Sequence, residues 1–127
     1  MNSDETQAEY VRLGYQSGWT FMMTREARLY DATVCLVGLN PGGRHLGPGI
    51  WSCEDGNTYH IQNWATRNGE AVHSPLQQQV HHLEQLLGLE RDGYLAAQFI
   101  PFRSADWHRL NNEAQAWTSD EGCGLGS

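Results

Sequence analysis

The sequence predicts an α/β fold in which a small parallel sheet is flanked by helices. Two apolar runs, 33–39 (TVCLVGL) and 94–100 (YLAAQFI), each end at a turn that contains proline. Continuous apolar runs of this length are typical of strands buried in parallel sheets. A helical pattern separates the two runs, and a strand–helix–strand unit places its two strands side by side and parallel.

The helix between the strands is the most clearly marked element and is expected over 75–87. Ser74 occupies the N-cap position, Pro75 follows at the first helical position, and Gln77 stands three residues after the cap. Gly88 has the position that favours a left-handed C-terminal cap. A single apolar face is expected from residues at helical spacing, namely Leu76, Val80, Leu83 and Leu87.

The other segments give weaker signals. A short helix is expected over 5–13 and a last helix over about 110–117, whereas the aromatic-rich segment 15–30 leaves helix and irregular structure open. Segment 44–74 has little periodicity, and a loop of that length is usually functional or disordered. Its aromatic residues argue against disorder. The 127 residues are expected to form one domain, with the informative patterns between 33 and 117.

Composition limits the class of protein. Fifteen acidic residues stand against eight arginines and no lysine, giving a net charge of -7 that repels phosphate backbones at long range. The polar N-terminus and the absence of a long apolar run predict a cytoplasmic protein without a membrane partner. Cysteine spacing fits no metal site, and no cofactor is expected. Cys35, inside an apolar run, is expected to be a buried thiol.

The corner after the first strand carries the most chemistry. Both strand ends are expected at the edge where open α/β sheets bind ligands, so Asn40 should lie near the turn that begins at Pro101. Pro41 keeps Asn40 extended, and Gly42 and Gly43 allow a close backbone approach. The amide can donate two hydrogen bonds and accept others, enough to position a water or read a base edge. A plain glycine-rich turn is the alternative.

The motif GLNPG after an apolar strand resembles the first motif of the uracil-DNA glycosylase superfamily, especially its mismatch-specific and single-strand-selective branches. LAAQFIPFRS, over 95–104, resembles the middle strand of that superfamily, where an amide residue precedes a short apolar step and a proline. The resemblance covers roughly 33–117 and implies a shortened three-layer fold of that family. It implies hydrolysis of the N-glycosidic bond of a damaged or deaminated base, with single-stranded or mismatched DNA as the partner.

The resemblance also assigns roles by position. Asn40 is the expected catalytic residue, which orients the attacking water. Gln98 takes the place of the base-reading amide, and Trp51 or Tyr59 that of the aromatic that stacks on the base. The expected pocket lining is completed by Gly38, Leu39, Pro41, Gly42, Gly43 and Phe99. Arg103 and Ser104 are candidates for binding a phosphate, although a structural bond of Arg103 is an equal alternative.

Three departures keep other functions open. Gln98 stands where the family usually has Asn, the late His- or Asn-containing motif has no counterpart, and the chain is acidic. The chain is therefore expected to be a truncated version of the fold. One alternative is a non-catalytic acidic descendant that binds and inhibits a protein partner. The other is a hydrolase of free nucleosides or nucleotides, a substrate that an acidic protein tolerates better than DNA.

Overall fold

A computed structural model describes residues 2–45 and 47–104. Its elements, in chain order, are α1 (Ser3–Arg12), α2 (Arg28–Asp31), β1 (Cys35–Gly38), α3 (Thr58–Ile61), β2 (Ala65–Arg67), β3 (Glu70–Val72), α4 (Pro75–Leu87) and β4 (Leu95–Gln98). The helix expected at 110–117 lies outside the described residues. None of the described helices has the length and apolar character that crossing a membrane requires.

The parallel pairing of the two predicted strands is confirmed. β1 and β4 form a two-stranded parallel sheet, and α4 lies between them in the chain. The long segment 44–74 is more structured than its pattern indicated, because it contains α3 and an antiparallel hairpin of β2 and β3. Asn68 and Gly69 form the hairpin turn with φ of 53° and 80°, the left-handed conformation that two-residue hairpin turns require.

The expectation that both strands are buried is wrong for β1. β4 is buried from Ala96 to Gln98, whereas Val37 in β1 is 60% exposed and Cys35 is an exposed free thiol. The reason is position in the sheet. An extended segment lies along the other side of β4, where Met23 N–H donates to Ala96 O at 2.8 Å. β4 therefore has neighbours on both sides, and β1 is an edge strand within the described part of the chain.

The chain divides into two compact units. Of the described residues, the first contains 2–21, 38–45, 47–51 and 98–104, and the second contains Met22–Val37 and Ser52–Ala97. The first has a buried apolar cluster of Leu13, Trp19, Ile100 and Phe102. The second has a buried cluster of Met23, Tyr59, Val80, Tyr94 and Ala96.

α4 has the predicted bounds, and its predicted apolar face is buried only in part. Ser74 and Gln77 form a capping box, and Gly88 ends the helix with φ of 67°. Val80 is buried, but the three leucines of the expected face are 38–57% exposed: Leu76, Leu83 and Leu87. The polar side chains Gln77 and Glu84 are buried instead. Their hydrogen bonds to other residues of the second unit keep this stripe of the helix inward.

Candidate functional site

The two strand-end corners meet as expected, and Asn40 joins them. Its side-chain Nδ2 donates to Phe102 O at 3.1 Å, to Ser104 Oγ at 2.9 Å and to Pro41 O at 3.2 Å. Ser104 N–H in turn donates to Pro41 O at 3.2 Å. With Nδ2 surrounded by oxygen acceptors, the orientation of the amide is fixed and Oδ1 is its remaining polar atom.

Arg103 makes the structural bonds that the sequence left as an alternative to phosphate binding. Its guanidinium donates to Gly42 O and to Thr20 Oγ1, both at 2.7 Å, while its backbone N–H donates to Gly18 O at 2.9 Å. Desolvation lowers the pKa of the guanidinium, and Nε is buried without a partner among the described residues. Arg103 thus stabilises the glycine-rich corner.

Gln98 lies against Gly38 in the first unit. The Gln98 side chain is only 6% exposed, and its Oε1 is buried with no hydrogen-bond partner among the described residues. A Cβ on Gly38 would lie 2.6 Å from that oxygen, so a larger residue at position 38 would require the Gln98 amide to move. A buried carbonyl oxygen without a donor is energetically costly.

Apart from Pro41, which is buried, the other residues predicted to line the pocket are largely accessible. Leu39 is 59% exposed and Phe99 is 42% exposed, and Gly42 and Gly43 are exposed as well. Of the two glycines, Gly43 has the positive φ, at 71°. The corner is therefore open to a ligand rather than enclosed in the core.

The two candidate stacking aromatics have different surroundings. Trp51 is partly buried in the first unit and packs on Phe21, with ring centroids 4.8 Å apart and planes inclined by 36°. Tyr59 is 4% exposed and belongs to the core of the second unit, where its ring contacts Trp64 edge-on at 5.1 Å. Trp51 is the candidate with part of its ring accessible.

A buried polar cluster in the second unit was missed by the sequence analysis. Glu84 is 6% exposed, and its carboxylate accepts from His60 Nε2 at 2.7 and 2.9 Å and from the Tyr94 hydroxyl at 2.5 Å. The Tyr94 hydroxyl also accepts from Asn57 Nδ2 at 2.9 Å. Burial, followed by the bond to Glu84, raises the pKa of Tyr94 well above its ordinary value. Gln77, Val80 and Glu84 are spaced by three and four residues along α4, which places them on one face of the helix; this spacing was the signal in the sequence for a buried polar stripe.

Two more imidazoles adjoin this cluster. His60 stacks on His81 with centroids 4.0 Å apart, and His73 meets His81 edge-on at 4.9 Å. His81 Nε2 lies 2.6 Å from Tyr59 O, and His73 Nε2 lies 3.0 Å from His60 O. A carbonyl oxygen can only accept, so both nitrogens carry a proton. Within residues 2–45 and 47–104, His, Cys, Asp and Glu form no group of three or more that could hold a metal ion.

Comparison with known proteins gives no match: no family model, no curated protein and no solved structure is similar to this chain. The roles of the corner residues therefore rest on their chemistry and on the resemblance of the two motifs.

Proposed function

We propose that the Asn40 corner binds a damaged or deaminated base and that the protein hydrolyses its N-glycosidic bond in single-stranded or mismatched DNA. The supporting observation is the fixed amide of Asn40. Because Nδ2 is occupied by Phe102 O and Ser104 Oγ, Oδ1 is held in one direction as a hydrogen-bond acceptor. A preorganised acceptor of this kind can orient a water without reorganising during the reaction.

The proposed reaction places the positioned water opposite the base. The water oxygen bonds to the anomeric carbon as the bond from that carbon to the base nitrogen breaks, through an oxocarbenium-like transition state. The departing base takes the bonding electron pair, and the proton lost by the water passes to solvent or to the released base. An amide oxygen is a poor base, so the role of Asn40 is to orient the water rather than to remove its proton.

Gln98 is the proposed base-reading residue. Among residues 2–45 and 47–104 its buried Oε1 accepts from no donor, and a ring N–H of a deaminated pyrimidine would satisfy it. Gly38 leaves the space that the Gln98 amide itself occupies, since a Cβ there would lie 2.6 Å from Oε1. In this proposal Trp51 or Phe99 stacks on the base, and Tyr59 stays a weaker prediction because its ring is in the core.

The Arg103 and Ser104 turn is the proposed phosphate contact. The guanidinium already donates to Gly42 O and Thr20 Oγ1, so a phosphate would share those donors or add to them. We also propose that the protein has a shortened three-layer fold similar to that of uracil-DNA glycosylases. Its support is the order of the two motifs on a parallel strand pair with a helix between them.

The test uses a single-stranded oligonucleotide that contains one uracil. The full-length protein should produce abasic sites, detected as strand cleavage after alkali, and the Asn40→Ala protein should be slower by a factor of about 100 or more. Asn63→Ala is the matched control, because Asn63 is exposed. Activity of Asn40→Ala equal to that of the wild type, or no abasic sites on uracil- or mismatch-containing strands, would refute the proposal.

Free deoxyuridine in a parallel assay distinguishes the nucleoside alternative. Release of uracil from the nucleoside but not from DNA would show that the small molecule is the substrate, as the charge of -7 favours. The alternative of a protein-binding function is supported by a different observation, the exposed apolar edge of β1. Binding to a basic partner, with no loss on Asn40→Ala, would support that alternative over hydrolysis.

A further inference from the structure

The outer edge of β1 has backbone groups available for another strand. Leu95 N–H donates to Val34 O at 3.1 Å, and Phe99 N–H donates to Gly38 O at 2.8 Å. In a parallel pair alternate residues direct their backbone groups to the partner strand, so those of Cys35 and Val37 point away from β4. In the described ranges no other strand pairs with this edge.

The side chains of this edge are apolar and accessible. Val37 is 60% exposed and Val34 is 37% exposed, and Cys35 is exposed too. Natural edge strands are usually protected by a charge, a proline or a bulge, and the sequence Val34–Cys35–Leu36–Val37 contains neither a charge nor a proline. An accessible apolar edge of this kind is typical of a surface that is covered by a partner.

An apolar groove lies between β1 and α4 in the second unit. Its walls include Val34, Leu36, Val80, Leu83, Leu87 and Leu89, and its volume is about 140 Å³. Apolar cavities of ~150 Å³ admit a molecule the size of benzene, so the groove has room for one aliphatic or aromatic side chain. Glu84 also lines it, but its carboxylate is already bound by His60 and Tyr94.

Charge identifies the kind of partner. The second unit carries eight acidic residues and four arginines, a net charge of -4, and the whole chain has a net charge of -7. Two copies joined edge to edge would bring these like charges together, which is unfavourable. The net negative charge of the unit would instead attract a basic partner.

We infer that the outer edge of β1 binds an extended segment of a basic protein partner. The segment adds a strand through the backbone groups of Cys35 and Val37 and places one apolar side chain in the groove between β1 and α4. Main-chain hydrogen bonds supply affinity, the groove selects an apolar residue, and the net negative charge of the protein favours basic residues beside it. This inference is independent of the proposed chemistry at Asn40.

The probe is a ten-residue peptide of alternating valine and lysine, labelled for fluorescence anisotropy, with a valine–glutamate peptide as its counterpart. The full chain should bind the basic peptide and not the acidic one, with affinity that falls as salt rises. Val37→Lys should weaken binding about tenfold or more, because it places a positive charge on the edge. Val11→Lys, the same change at an exposed position of α1, should leave binding unchanged.

A second measurement tests the binding mode. Peptide binding should slow hydrogen exchange of the Cys35 and Val37 amides, which a purely side-chain contact would leave unchanged. Equal losses from Val37→Lys and Val11→Lys, unchanged exchange at both amides, or equal binding of the acidic peptide would overturn the inference. So would a concentration-dependent dimer that Val37→Lys abolishes, since the occupant would then be a second copy of the chain.

Discussion

Asn40 Nδ2 donates to Ser104 Oγ at 2.9 Å, although 64 positions separate the two residues. The bond joins the turn after β1 to the turn after β4. Together with the bond to Phe102 O, it gives the Asn40 amide a structural role in addition to its proposed role in positioning water. Both roles use the same geometry, because the nitrogen anchors the side chain and leaves Oδ1 for a ligand.

Asn40→Ala should lower the free energy of unfolding by about 1–3 kcal/mol, because it removes a half-buried donor and leaves the acceptors of the second turn without it. Asn40→Asp should be at least as destabilising, since it replaces Nδ2 with an oxygen that faces the carbonyl oxygens of Pro41 and Phe102. Urea unfolding followed by circular dichroism measures both. A loss as small as that of the exposed control Asn63→Ala would show that these bonds contribute nothing.

Gly38→Ala should destabilise the protein by about 1–3 kcal/mol, because the new Cβ would lie 2.6 Å from the buried Gln98 Oε1. The double variant with Gln98→Ala should lose less than the sum of the two single variants, since the clash disappears with the side chain. Gly42→Ala is the control, because a Cβ there has no atom within 4 Å. Additive losses in this cycle would show that Gly38 and Gln98 do not constrain each other.

Tyr94→Phe should flatten the dependence of stability on pH between about pH 9 and 11. Burial and the bond to Glu84 raise the pKa of folded Tyr94, so the unfolded chain ionises first as pH rises. The stability from this group is therefore complete below the unfolded pKa and is lost above it. Denaturation of wild type and variant across this range measures the difference. Tyr30→Phe, at a residue 79% exposed, should keep the wild-type slope.

Ser74→Ala should cost about 1 kcal/mol of stability, because the Ser74 hydroxyl accepts from Gln77 N–H at 3.1 Å at the start of α4. Gln77→Ala should cost more, since its buried side chain also donates to Gln62 O at 2.6 Å and accepts from Trp64 N–H at 3.1 Å. Thermal melts of the two variants give the order. A larger loss for Ser74→Ala would contradict it.

Where caps, turns and apolar runs were clear in the sequence, they predicted the helices and strands correctly. The cap at Ser74, Pro75 and the stop at Gly88 gave the bounds of α4, and the two apolar runs gave β1 and β4 with their parallel pairing. The hairpin of β2 and β3 was missed. Its strands are three residues each, too short for a periodic pattern to be recognised.

The candidate site was predicted in part. The sequence indicated that the corners at Asn40 and Ser104 would meet, because parallel strands end at the same edge of a sheet. It did not indicate that the amide of Asn40 would bind Ser104 Oγ, or that the oxygen of Gln98 would be buried with no donor in the described part of the chain. Such contacts depend on side-chain orientation between segments far apart in the chain.

The sequence by itself determined the order of the strands and of α4, because caps, turns and apolar runs act within a few residues. Tertiary structure decided which faces are buried. Neighbours on both sides cover β4 and leave β1 at an edge with Val37 exposed. Polar contacts made by Gln77 and Glu84 turn α4 so that its leucines face outward. Which face of a strand or helix is buried depends on contacts between residues far apart in the sequence, and local sequence patterns do not encode such contacts.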